Sequence, residues 1–102
     1  MRPRVYRVFR LTPAHAGAID ILLKDDFVSR QSVIARDAKS LGLSGDDRYV
    51  LVEGAEAAVA RAAELLKDVV RPLGGTEADD VQRRIRSQEE DAASGMGMIF
   101  GP

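Results

Sequence analysis

Two hydrophobic rhythms alternate along this chain, and the changes between them mark its elements. From Val5 to Leu11 the period is two and the residues are β-branched, aromatic or basic, which predicts a strand. Val5, Arg7, Phe9 and Leu11 share one face; Arg4, Tyr6, Val8 and Arg10 share the other. The first set is the expected core face, with Arg7 its odd member. Thr12-Pro13 predicts a helix start, because threonine caps orphan amides and proline suits the first turn. Ala18, Ile19, Leu22 and Leu23 then recur at helical spacing as the stripe that this helix buries. Arg48 to Glu53 is the clearest strand, ended by Gly54. Glu56 to about Lys67 is the clearest helix, with Val59, Ala62, Ala63, Leu66 and Val70 on the inner face.

Residues 27–42 admit two patterns. As a strand, Phe27 to Arg36 forms a hairpin with the strand that follows. As a helix, Ser29 caps and Val33, Ile34, Ala38 and Leu41 fall on one face. The favoured reading is a mixture: strand through about Asp37, then one helical turn stopped by Gly42 with Leu43 as its apolar clasp. Ser44-Gly45-Asp46-Asp47 is a turn cluster. Val69 to Leu73 is a short final strand that Pro72 confines to a sheet edge or a strand end. Beyond the Gly74-Gly75 break, Thr76-Glu77-Ala78-Asp79 resembles a capping box and opens a very polar helix. Only Val81 and Ile85 mark its stripe, so it lies on the domain or packs on another chain.

The order strand–helix–strand–strand–helix–strand predicts an α+β fold. It is the ferredoxin-like βαββαβ two-layer sandwich, with an antiparallel sheet, both helices on one face, and an extra C-terminal helix and apolar tail. The core then spans residues 1–75, the polar helix 76–93 and the Gly/Met-rich tail 94–102. If residues 29–41 are helical throughout, the order becomes βααβα, which resembles a KH domain; Tyr49 to Leu66 is similar to that family's last strand and helix. The family's GxxG clamp falls where this chain has Val28-Ser29-Arg30-Gln31, so the resemblance does not carry nucleotide gripping by that route.

Composition narrows the function classes. The 102 residues suit one core, and 45% hydrophobic with 30% charged residues is ordinary for a globular chain. With no cysteine there are no disulfides, thiolate metal sites or thiol nucleophiles, which fits a reducing compartment. No apolar run is long enough for a membrane span or a signal peptide, so cytoplasmic localisation without membrane attachment is expected. The net charge of −1 is unevenly spread. Residues 1–36 carry seven Lys/Arg against three Asp/Glu, while residues 74–102 carry three against six, giving a basic start and an acidic end.

Catalytic groups do not assemble. His15, the only histidine, has no partner at a recognisable spacing. Asp25-Asp26, Asp46-Asp47 and Asp79-Asp80 are adjacent pairs that diverge on either a strand or a helix, and they sit where aspartate serves the local backbone. Gly42-Leu43-Ser44-Gly45 lacks the ending of a phosphate-binding loop, and no usual metal spacing occurs. No enzyme, cofactor or metal is therefore expected. Recognition signals are stronger. Arg4, Tyr6 and Arg10, extended by Arg48 and Tyr49 on the neighbouring strand, combine phosphate-pairing guanidinium groups with stacking rings. On an open sheet face they make a platform for RNA or a ribonucleoprotein. Met96, Met98, Ile99 and Phe100 in the tail predict docking within the chain, self-association or a protein partner. An alternative is a small-molecule-sensing or assembly domain resembling the ACT type, with ligand pockets where paired sheets meet.

Overall fold

β1 (Arg4–Leu11) is the strand that the alternation predicts, and it runs antiparallel to β3 (Arg48–Ala55). The register sets Val8 beside Leu51 and Phe9 beside Val50. β2 (Ser32–Asp37) lies antiparallel on the other side of β3, giving the sheet order β1-β3-β2. Three helices complete a small α+β domain: α1 (Ile19–Leu23), α2 (Glu56–Leu66) and α3 (Gly75–Phe100). This computed structural model describes the backbone of residues 4–100 and the side chains of residues 4–91.

Residues 27–42 adopt the mixture. Val28–Arg30 is a short 3₁₀ turn, Ser32–Asp37 is strand β2, and Ala38–Leu41 is a second 3₁₀ turn. Gly42 follows in the left-handed region at φ 76°, and the Leu43 amide donates back to the Ala38 carbonyl at 2.9 Å. That return bond is how a glycine stops a helical turn. The all-helical alternative, with its KH-like βααβα order, does not form. Val33 and Ile34 are β-branched, and β3 offers them a ladder that a helix could not.

Four expectations change. The first helix is not continuous: Pro13–Ala18 is 3₁₀, broken at His15 (φ −120°, ψ 19°), and only Ile19–Leu23 is α-helical. Thr12 makes no side-chain cap bond, and Leu23 is half exposed rather than in the stripe. Ala18 and Leu22 are buried as expected. The final strand over residues 69–73 is reduced to one antiparallel bridge between Pro72 and Phe9, with the Leu73 amide donating to the Val8 carbonyl at 2.8 Å. Pro72 has no N–H to continue a ladder, and the Val69 and Val70 amides are already used by Leu66 at the end of α2. The boundary between a helix over 76–93 and a separate tail disappears as well. α3 runs unbroken through Phe100, because glycine weakens a helix but keeps the N–H that proline lacks.

The fourth change is to the layers. The first face of the sheet packs on α1 and α2 through Phe9, Leu11, Leu22, Val50, Val52, Val59 and Leu66, all fully or nearly fully buried. The second face, expected to be open, carries its own core. Val8, Tyr49 and Leu51 lie there beneath Ala78, Val81 and Ile85 of α3, with Ala38 and Leu41 closing one end. The sheet is covered on both sides because both faces of β3 are apolar (Val50 and Val52 on one, Tyr49 and Leu51 on the other). The cover on the second face is light. A buried Val or Ile contributes about 1.5–3 kcal/mol, and among the described residues α3 commits only one of each with a single alanine.

Asp25 shows what the aspartate pairs do. One carboxylate oxygen accepts the amides of Phe27 and Val28 at 3.0 and 2.9 Å, fixing the turn after α1. The other accepts Arg61 Nε and Nη2 of α2 at 2.7 and 2.6 Å. These bonds, the Arg61 pair foremost, hold its pKa at about 2 against an ordinary 3.8. A depressed carboxylate stabilises the fold above its unfolded pKa and loses that contribution as pH falls through the folded one. The stability gap between the wild type and Asp25→Asn, followed by circular dichroism in urea, is therefore expected to be full above about pH 4. It should close as the pH approaches 2. A gap that persists unchanged to pH 2 would rule out this clasp.

Candidate nucleic-acid interface

Strand alternation decides which of the predicted residues meet. Arg4, Tyr6 and Arg10 project from the second face of β1, and the register sets Arg10 beside Tyr49 on β3. These four share one face. Arg48 does not belong with them: next to Tyr49 on a strand, it points to the opposite face, where its Nε lies 3.4 Å from an Asp37 carboxylate oxygen on β2.

The platform is assembled but not open. Tyr49 is only 6% exposed beneath α3. The Tyr6 hydroxyl donates to the Asp79 carboxylate, a bond that raises its pKa above the ordinary tyrosine value. Arg10 is 3.6 Å from Asp47 through Nε and 3.6 Å from Glu77 of α3 through Nη1. Arg4 stays exposed at the end of β1. The acidic end of the chain thus lies directly over its basic start.

The structure adds Arg36, which the pattern did not single out, and gives the odd member Arg7 a place. Arg36 sits on the same face as Ile34, and its guanidinium reaches α3: Nε donates to Gln88 at 3.1 Å and Nη2 lies 3.5 Å from Glu89. Its signal was present once Ser32–Asp37 is taken as a strand, since alternation then places Ile34 and Arg36 beside Leu51 and Tyr49. Arg7 lies near the outer edge of β1. Val8 gives its carbonyl to Leu73 on that edge, so the Tyr6 carbonyl two residues earlier points the same way, and Arg7 Nη1 donates to it at 3.0 Å. Arg36 Nη1 does likewise for the Ala35 carbonyl at 2.9 Å on the outer edge of β2. An arginine folded onto an edge carbonyl blunts that edge against pairing with another strand.

Two open hollows flank α3. The larger, about 620 Å³, lies between the outer edge of β1 and the start of α3, and is lined by Arg4, Tyr6, Arg7, the Gly74-Gly75 backbone and Asp79. The other, about 390 Å³, brings Arg4 to Ser32, Glu53 and Arg86 at the far end of the sheet. A third hollow of about 530 Å³ is rimmed by Asp37, Lys39, Asp46 and Asp47, with Lys39 and Asp46 paired at 3.7 Å. His15 is exposed, and its Nδ1 lies 3.3 Å from the Thr12 hydroxyl. Among the described residues, no group of three or more His, Asp or Glu side chains is placed to hold a metal ion. No described helix is long and apolar enough to cross a membrane. Met96, Met98, Ile99 and Phe100 lie on the last turns of α3, and their side chains fall outside the described residues.

Compared with known proteins, the chain matches no family model, no curated protein and no solved structure.

Proposed function

We propose that this chain is a non-catalytic binding module that takes single-stranded RNA, free or within a ribonucleoprotein, along β1. The observation that carries this reading is the cluster of Arg4, Tyr6 and Arg7 at the outer edge of that strand, where they border an open hollow. Two guanidinium groups suit phosphates, and an aromatic ring beside them suits an unstacked base. Arg10 continues the line of positive charge along the same strand. With a net charge of −1, the attraction is local rather than a field of the whole protein. On this reading the framework is ferredoxin-like, its fourth strand shrunk to the Pro72–Phe9 bridge beside β1.

The test is the salt dependence of binding. Fluorescence anisotropy with a labelled 12-nucleotide single-stranded RNA is expected to show affinity falling from 50 to 200 mM salt. Arg4→Ala combined with Arg10→Ala should weaken binding about tenfold at the lower salt and reduce the log–log slope by about 1.4, the amount for two single-strand phosphate contacts. A double variant with unchanged affinity and slope would remove RNA from this strand.

A further inference from the structure

We infer that α3 is an internal acidic competitor for the RNA site, so that the nucleic acid and the docked helix exclude each other; this rests on the reading of β1 as an RNA-binding strand. Three acids along one helix meet three groups that a single strand would use. Glu77 lies 3.6 Å from Arg10, Asp79 accepts the Tyr6 hydroxyl, and Glu89 lies 3.5 Å from Arg36. From Glu77 to Glu89 the helix rises about 18 Å, so the carboxylates are spread along the face rather than gathered at one point. A carboxylate and a phosphate oxygen make the same charge-assisted bonds to a guanidinium. The helix therefore presents, in place, the anion pattern that an RNA backbone would supply.

The rest of the contact suits release. Only Ala78, Val81 and Ile85 of α3 are buried among the described residues, and the ion pairs around them are partly exposed, where such pairs are weak. The core between the first sheet face, α1 and α2 is a separate cluster that does not include α3. Residues 67–74 join α2 to α3 without a helix or strand of their own, and Gly75 takes the left-handed conformation at φ 53° where the chain turns into α3. Departure of α3 would uncover Tyr49 and release Arg10 and Arg36 from their acidic partners on the helix, leaving Arg10 its contact with Asp47. Apparent affinity then equals the intrinsic affinity reduced by the fraction of molecules whose helix is away.

The chain has no cysteine, so a pair can be placed at will. Glu53 and Arg86 are in contact across the sheet–α3 boundary. Glu53 lies on the second face across from Tyr6, but neither residue is among the arginines and tyrosines assigned to RNA or the Glu77–Asp79–Glu89 set. In Glu53→Cys/Arg86→Cys, a short bismaleimide bridge would pin α3 down, and the unbridged form of the same variant is the control. The bridged protein is expected to bind the 12-nucleotide RNA at least tenfold more weakly than the unbridged one. In the unaltered protein, RNA should speed amide hydrogen exchange of residues 78–89, the reverse of the protection that binding normally brings. Equal affinity of bridged and unbridged forms, or greater protection of α3 with RNA bound, would overturn the competition while leaving RNA binding standing. If neither the wild type nor the unbridged variant binds RNA, the RNA reading itself falls, and the competition with it.

Discussion

Replacing Phe9 with alanine is expected to remove about 3–5 kcal/mol of stability, the usual range for a fully buried phenylalanine. Phe9 is 0% exposed and belongs to the core that joins β1 and β3 to α1 and α2, among Leu11, Leu22, Val50, Val52, Val59 and Leu66. On its edge side it holds the single bridge to Pro72, just before the chain turns toward α3. A cavity at that position cannot be refilled from the exposed side chains nearby. Small domains carry about 5–15 kcal/mol in total, so the variant loses a large part of what it has. Urea unfolding monitored by circular dichroism should show a midpoint lowered by about 2 M. A loss below about 1 kcal/mol would show that Phe9 does not sit in a close-packed interior.

Phe9 also shows what the pattern of residues makes legible. Its place on the inner face of β1 follows from period-two alternation alone, and the stripe of Val59, Ala62 and Leu66 in α2 follows from helical spacing. The turn at Ala38–Leu41 and its stop at Gly42 follow from local backbone chemistry. Relations between elements distant in sequence are harder to read. Val8 on β1 and Tyr49 and Leu51 on β3 signal a second apolar face, but only the assembled sheet joins them into a surface wanting a cover. Val81 and Ile85 were visible as a thin stripe on a polar helix, with nothing local to say which surface they meet. Pro72 correctly limited the fourth strand, and its missing N–H together with the end of α2 reduced that strand to one bridge.

The candidate site divides in the same way. Arg4, Tyr6, Arg10 and Tyr49 fall on one face because the β1–β3 register permits it. Arg48 and Tyr49 share the neighbouring strand, but adjacency on a strand separates side chains rather than uniting them. The charge gradient along the chain, basic at the start and acidic at the end, becomes a contact in space once α3 lies on β1. A near-neutral protein can therefore hold a basic strand, because its counter-charge is its own C-terminal helix.

The second large effect is expected from Ile85→Ala, and its character should differ from that of Phe9→Ala. Ile85 is fully buried, but in the cluster that attaches α3 to the second sheet face. Truncation at such a position costs about 2–5 kcal/mol. That is comparable to the apolar anchoring by Ala78, Val81 and Ile85, the buried residues among those described in α3, reckoned at about 1.5–3 kcal/mol per larger side chain. The loss should therefore appear first as local release of α3, since elements can open below the free energy of global unfolding. Native-state hydrogen exchange should show residues 78–89 losing protection while amides of β3 and α2 keep most of theirs. In Phe9→Ala, by contrast, protection should fall across β1, β3 and α2 together. If Ile85→Ala lowers protection evenly over the whole domain, the sheet and α3 form one cooperative unit. The helix then cannot move while the sheet and its first core stay folded.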